Sequence, residues 1–312
     1  MMKAVRYHGF GTSEVLRYEE VERPAPGTGQ VLVQVAATSF NPVDDHIRAG
    51  VLAEAIPISF PFVPGIDLAG TVAELGAGVT GLEVGDRVVA MLPLDAAGAA
   101  AEYVLAPAES VAAAPRTIDL VDAAALPLSG LAAWQALFEL AELKPGQTVL
   151  VNGAGGAVGG LAVQLAVDAG AHVTAADHPQ HAGRLQDYGA HRVVGYLDLD
   201  GGPAAVGGPF EVVLNLVRVT PEQAAALSRF VADGGVAAST AGPLPEEPAR
   251  SVRAASLWVR SDAGQLTQLV AKVDAGLLRL HVADRRPMDE LGAVHQDAGA
   301  GRLTGKTVLT AP

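Results

Sequence analysis

Val149-Leu-Val-Asn152-Gly153-Ala154-Gly155-Gly156-Ala157-Val158-Gly159 runs from a short apolar stretch straight through glycines into a segment of helical spacing, Leu161, Leu165 and Val167. Small residues at such a junction let the backbone approach a ligand, and the unpaired amides and positive dipole end of the helix that follows favour an anion. The glycines fall as Gly-x-x-Gly-x-x-Gly at 153, 156 and 159, with Val158 where the last glycine of the stricter Gly-x-Gly-x-x-Gly spacing would stand. A tight turn with close helix-on-sheet packing would use the same residue types, so the flanking sequence has to decide between the two.

On the C-terminal side the alternation continues. His172-Val-Thr-Ala-Ala176 reads as the next strand, Gln180 to Tyr188 as a helix, Arg192-Val-Val194 as a third strand, and Phe210 to Leu214 and Gly235 to Ser239 as two more around a helix at Pro221 to Val231. Five strands interleaved with helices predict a doubly wound parallel sheet. In such a sheet a second nucleotide signal is expected about 20 residues beyond the glycines, and Asp177 stands 24 positions after Gly153. A carboxylate there can accept hydrogen bonds from both ribose hydroxyls of NAD and repels a 2′-phosphate, whereas His178, His181 and Arg184 could receive that phosphate. The two indications conflict. The plainer alternative is that Asp177 caps a helix and the basic side chains line its solvated face.

Working toward the N-terminus, Asp119 to Leu126 predicts a helix that Pro127 breaks and that resumes from Leu131 to Leu143. Residues 1 to about 110 read as short strands parted by turns: Val31 to Val35, Ala69 to Leu75, Arg87 to Met91 and Tyr103 to Leu105, a spacing that suggests a small antiparallel barrel. Beyond residue 255 come a strand-like Ser256-Leu-Trp-Val-Arg260, a helix from Gln265 to Ala275 and a last strand, Lys306 to Thr310, which return the chain to the first domain. That return predicts a cleft between domains, where small-molecule sites prefer to lie.

Composition removes several classes. The formal charge of −13 repels phosphate backbones and anionic membrane surfaces, so nucleic acid and membrane are not expected partners. The chain has no cysteine, which excludes disulfides, iron–sulfur clusters, a thiolate nucleophile and sulfur-ligated zinc. No apolar run reaches the roughly 18 to 20 residues that span a bilayer, and the N-terminus carries no secretion signal, so a cytoplasmic location is the expectation.

Several segments, in order, resemble the medium-chain dehydrogenase/reductase superfamily, in its zinc-independent quinone oxidoreductase-like branch. They are Asn41-Pro-Val-Asp44 with Arg48-Ala-Gly50, Pro64 to Val72, Val84-Gly-Asp-Arg-Val88, Pro127 to Leu137, the glycine segment with Gln164-Leu-Ala166, and Gly305 to Leu309. The resemblance implies an α/β chain in which a GroES-like β-barrel domain (1–118 and 256–312) clasps a Rossmann domain (119–255), with NADPH, or NADH, as cofactor. It implies cofactor-binding roles for Ser129, Gly153, Gly155, Gly156, Ala157, Val158, Asp177, His178, His181, Arg184, Tyr196, Asn215, Leu216 and Ser239. Zinc-dependent relatives place a Cys at the position of Asn41 and a His-Glu pair at Ile66-Asp67, so this chain lacks sulfur and imidazole ligands there and no zinc is expected. The sequence also departs from the branch pattern: Asp177 replaces a Ser, Thr or Lys, Asn215 stands where Asp is usual, and Gly195 where Asp is common.

The expected activity is hydride transfer from NAD(P)H to a small quinone or enone. Asn41 is the candidate amide donor to the oxygen that becomes negative, and His46, placed as the relay histidine of zinc-containing alcohol dehydrogenases, the candidate proton relay. Asp44 is expected to be structural, paired with Arg48. Enoyl-thioester reductases and non-catalytic nucleotide sensors resemble the same branch and are the alternatives. A homodimer is expected through the Ser256–Arg260 strand.

Overall fold

A computed structural model describes all residues from Met1 to Pro312. They form two units: Met1–Leu128 with Ser261–Gly276 and Leu280–Pro312, and Ser129–Arg260 with Leu277–Arg279.

In the first unit, β1 (Met2–Arg6) and β2 (Arg17–Val21) make an antiparallel pair. β3 (Gln30–Ser39) is followed by α1 (Pro42–Arg48), then β4 (Asp67–Leu75), β5 (Arg87–Met91), β6 (Tyr103–Pro107), β7 (Val111–Ala113) and the short α2 (Leu120–Ala123). The valine-rich β3 is the hub, pairing antiparallel with both β4 and β6. Its approach to β4 requires a residue without a side chain, because a Cβ on Gly70 would lie 2.3 Å from the Gln34 carbonyl oxygen. Tyr7, Phe62, Leu68, Val88 and Leu92 fill the core under these strands.

α3 (Pro127–Trp134) carries the chain from the first unit into the second and runs on into a π-type turn, Gln135–Leu140. Pro127 opens this helix instead of breaking one, as its missing N–H is no loss in a first turn. The second unit then lays down β8 (Thr148–Asn152), α4 (Ala157–Asp168), β9 (His172–Ala176), α5 (Ala182–Asp187), β10 (Arg192–Val194), β11 (Phe210–Asn215), α6 (Pro221–Ser228), β12 (Val231–Ser239) and β13 (Arg253–Ser256). All six strands are parallel, in the order β10-β9-β8-β11-β12-β13. The central strands are apolar throughout because helices cover both faces of such a sheet: Val149, Leu150, Val151, Val213 and Leu214 are fully buried. This is the doubly wound sheet that the sequence predicts. The strand expected at Ser256–Arg260 is displaced: β13 ends at Ser256, and the chain beyond it is held at Arg260 by paired hydrogen bonds to the Gln135 side chain.

The chain re-enters the first unit through α7 (Ala263–Asp274), β14 (Val282–Pro287), α8 (Leu291–Gly299) and β15 (Lys306–Thr310). β15 lies between β14 and β3, parallel to one and antiparallel to the other, completing a seven-stranded mixed sheet.

Candidate functional site

In the second unit the order of strands reverses at β8, with β9 on one side and β11 on the other, so the crevice beyond the carboxyl ends of β8 and β11 is the switch point where ligands of such sheets bind. The glycine segment leaves β8 at that point. Gly153 adopts a positive φ of 88°, and its missing side chain makes room for Leu216 and Val217 at the end of β11. Gly159 packs its Cα where a Cβ would lie 2.3 Å from the Gly153 carbonyl oxygen, which brings α4 tight against the loop. Gly156 is the N-cap of α4 and offers no capping side chain. The first-turn N–H groups that Ala157 and Val158 contribute have no acceptor within the helix.

Asp177, at the end of β9, closes one side of the loop. Its carboxylate accepts hydrogen bonds from the backbone N–H groups of Gly155 (2.7 Å) and His178 (2.6 Å). Arg184 donates to the Gly155 carbonyl oxygen (2.7 Å) and lies 3.2 Å from His181 Nδ1, while His181 Nε2 lies 3.8 Å from Asp177. The carboxylate and the basic residues therefore belong to one cluster around Gly155. His178 and Tyr196 meet edge to face, with Tyr196 largely exposed. Across the strand ends, Asn215 accepts from the Asn152 side chain (2.9 Å), donates to the Val217 carbonyl oxygen (2.8 Å) and approaches Ser239 Oγ (3.4 Å). Ser129, buried on α3, takes no part in these hydrogen bonds. The structure thus brings together all the residues expected around the nucleotide except Ser129.

In the first unit a buried polar cluster surrounds Asn41. Its amide nitrogen donates to Asp67 Oδ2 (2.8 Å) and to the Ser39 carbonyl oxygen (3.3 Å), and its oxygen accepts from Lys306 Nζ (2.6 Å). The orientation is unambiguous, since a flipped amide would set its hydrogens against an ammonium and its oxygen against a carboxylate. Both amide hydrogens are spent inside the protein, and Asn41 is 2% exposed. The donor role toward a substrate oxygen expected of Asn41 would require it to give up one of these two hydrogen bonds. Asp67 Oδ2 also accepts from Ser39 Oγ and Lys306 Nζ, and Oδ1 accepts from the Leu128 N–H (2.7 Å). His46 is half-buried on the last turn of α1.

α1 starts as its sequence dictates: Pro42 occupies the first helical position, and the Asn41 N–H donates to Asp44 (2.9 Å). Asp44 is not the partner of Arg48, which pairs instead with Asp45 three residues before it and reaches the Gly11 carbonyl oxygen. Burial pushes the Asp44 carboxyl up to about 7 against the hydrogen bond from Asn41, with the Asp67 charge adding to the rise. Hydrogen bonding from His295, with further help from Arg48, holds Asp45 below the usual carboxylate range. Burial lowers His295, whose Nδ1 lies 3.2 Å from Asp45 and whose Nε2 is buried without a partner. Tyr7 lines a small pocket with Asp44, Phe62 and Ile66, and its hydroxyl is buried without a partner. Sequence reading missed Lys306 and His295. The available signal was a lone charge heading the apolar run Thr307-Val-Leu309; nothing marked the histidine.

A family model described as the alcohol dehydrogenase GroES-like domain matches residues 27–116, and one described as zinc-binding dehydrogenase matches residues 188–309. The quinone oxidoreductase of Sus scrofa is 31% identical over 330 aligned residues, covering 99% of this chain and 98% of that one. The chloroplastic quinone-oxidoreductase homolog of Spinacia oleracea is 36% identical over 207 residues, 64% of this chain; the match spans just under two thirds of that relative, 63% of its length. A mycobacterial protein solved in complex with NADPH superposes with a TM-score of 0.85 at 29% identity, covering 99% of this chain and 100% of that one.

Proposed function

This chain belongs to the medium-chain dehydrogenase/reductase superfamily, among its quinone oxidoreductase-like members, and from that membership we propose that it is a reductase passing hydride from NADPH or NADH to a small quinone or enone without a metal. A GroES-like and a Rossmann domain, the architecture of that family, correspond to the mixed and the parallel sheets. The observation that carries the reading is the uncapped N-terminus of α4 at the sheet's switch point, with Asp177 and Arg184 ordered around Gly155.

A nicotinamide dinucleotide supplies the hydride when bound. The chain's part is to hold it. The amides at Ala157 and Val158 suit a pyrophosphate, each charge–dipole interaction contributing roughly 0.3–1 kcal/mol when exposed and more when sheltered. Asp177 would receive the adenosine ribose: its charge favours the bare hydroxyls of NADH, and a 2′-phosphate would have to draw His181 and Arg184 away from their present partners. Tyr196 offers an exposed ring beside His178 to the same end of the ligand.

Zinc does not fit the residues present. Asp67 already accepts from Ser39, Asn41, Lys306 and the Leu128 N–H, which fills the lone-pair positions of its carboxylate, and Ile66 offers no donor. No group of three His, Cys, Asp or Glu side chains is placed to hold a metal ion.

Fluorescence titration with NADH and NADPH, followed by oxidation of the tighter binder with a small quinone and an enone, tests the proposal. Saturable binding with turnover supports it; failure of both nucleotides to bind ends it. A second reading, a nucleotide-binding protein with little turnover, is favoured by the commitment of both Asn41 amide hydrogens. Tight binding without oxidation of the nucleotide by any acceptor would decide for it.

A further inference from the structure

We propose that Tyr7 and Asp44 form the polar end of a binding pocket inside the first unit, which takes the oxygen of a small uncharged ketone on a hydrogen bond from the Tyr7 hydroxyl. This inference concerns the first unit alone and does not depend on the nucleotide reading.

The pocket is built from the chain after β1, from α1, and from the segments that precede β4 and follow β5. Tyr7 is rigidly placed in it. Its backbone exchanges two hydrogen bonds with Phe62 (2.9 Å each), and its ring meets those of Phe60 and Phe62 edge to face, with centroids 5.8 and 5.6 Å away. The residue is fully buried, yet its hydroxyl reaches no hydrogen-bonding group of the chain. Buried hydroxyls are nearly always paired, so one that is fixed in place without a partner marks a point where a partner is brought in. Asp44 is the second polar side chain at the pocket, and the Asn41 N–H engages only its Oδ2 (2.9 Å).

Both groups can donate near neutral pH. Burial, with the Asp44 charge adding to it, pushes the Tyr7 hydroxyl above its usual range, and Asp44 itself keeps its proton up to about 7. A carbonyl oxygen has two lone pairs and can accept from both. A water would find only these two polar side chains, whereas buried waters ordinarily make about three hydrogen bonds. The other lining side chains, among them Ile47, Phe62, Ile66, Pro93 and Leu94, are apolar and suit an alkyl body. No Lys, Arg or His lines the pocket, so a carboxylate or phosphate finds no countercharge there. The closed room is about 10 Å³, one oxygen-sized group, and the free space out to the mouth is about 250 Å³, a limit that a small cyclic ketone meets.

The test titrates cyclopentanone, labelled with ¹³C at the carbonyl, into the full chain at pH 6 without nucleotide, so that neither cofactor binding nor turnover enters the result. The expected NMR result is saturable binding with the bound carbonyl carbon moved downfield, as a donor on its oxygen requires. Tyr7→Phe keeps the ring and removes the hydroxyl. Its affinity should fall about three- to tenfold, the size of one neutral hydrogen bond, and its downfield shift should shrink. Its Tm should be no lower than that of the native chain, because the lost hydroxyl has no partner in the free protein. Leu94→Trp fills the pocket and should abolish binding. Absence of saturable binding to the native chain overturns the proposal. So does equal binding to Tyr7→Phe, which would show an apolar pocket only, and undiminished binding to Leu94→Trp, which would put the ketone elsewhere. A lower Tm in Tyr7→Phe would show a hydroxyl already engaged by a structural water, and it too would overturn the proposal. Where Tyr7→Phe does not fold, the direction of the shift in the native chain and the Leu94→Trp result still decide.

Discussion

Asp44 and Asp45 are adjacent in α1, and their carboxyls are pushed in opposite directions, the first by burial and the second by hydrogen bonds from a histidine and an arginine. The unfolded chain releases the Asp44 proton near pH 4, whereas the native protein keeps it up to about 7. Between those values the native state binds more protons than the unfolded state, so this residue makes stability fall as pH rises through the window, by an amount on the order of a few kcal/mol. Asp45 works the other way: its contribution is present above the ordinary carboxylate range and is lost as pH falls through it. Asp44→Asn keeps an acceptor for the Asn41 N–H and removes the ionisation, so it should raise Tm at pH 8 and leave it nearly unchanged at pH 4, as read by scanning calorimetry. At the nucleotide loop, Asp177→Ser removes the charge that opposes a 2′-phosphate. It is expected to move the NADPH-to-NADH affinity ratio at least tenfold toward NADPH, about 1.4 kcal/mol, in paired fluorescence titrations. Asp177 could be picked out because its meaning is set by a spacing of some two dozen residues. The partners of Lys306 and His295 lie some 240 to 265 positions away, and no local pattern announces them.

Elements whose hydrogen bonds close within one βαβ unit were legible nearly to the residue. β9 and β10 fall where predicted, and Leu161 and Leu165 lie buried on α4 as their spacing implies, because apolar period and glycine punctuation are local properties. The misplaced strand after Ser256 failed for the converse reason: Leu257 still donates to the Ser239 carbonyl oxygen, but beyond it Gln135, more than 100 residues earlier, captures the backbone of Arg260. β2 and β14 escaped notice because they are polar edge strands, Arg-Tyr-Glu-Glu-Val and Val-Ala-Asp-Arg-Arg-Pro. The loop leading into α4 permits a test that separates folding from binding. A methyl at Gly159 would collide with the backbone of Gly153 and Ala154, whereas one at Gly156 would meet only the Gly153 carbonyl oxygen, at an ordinary 3.6 Å. Gly159→Ala should therefore lower Tm by several degrees, consistent with overpacking costs of roughly 1–3 kcal/mol. Gly156→Ala should leave Tm within about 1 °C while weakening nucleotide binding tenfold or more, because the added methyl occupies the approach of the pyrophosphate.

At the scale of the molecule, β13 is an edge strand of the parallel sheet, and Trp258 follows it with 60% of its surface exposed. An open edge beside an exposed tryptophan is the kind of surface that a two-fold mate covers, and the chain is expected to be a homodimer. Sedimentation velocity should show a dimer for the native protein and a monomer for Trp258→Asp. A monomer in both cases would show that this edge goes unpaired. The position of β15 bears on how such a molecule is made. This strand lies between β14 and β3, so the sheet of the first unit cannot be completed until residues 306–310 exist, although the other side of β3 is synthesised early. The parallel sheet needs nothing beyond residue 256 for its last strand. On the ribosome the order of maturation is therefore the reverse of the order of translation: the middle of the chain can close while its beginning waits for its end. A nascent chain stalled with residue 285 just emerged should resist protease across 129–260 and be cut readily within 1–128, and release of the finished chain should protect both.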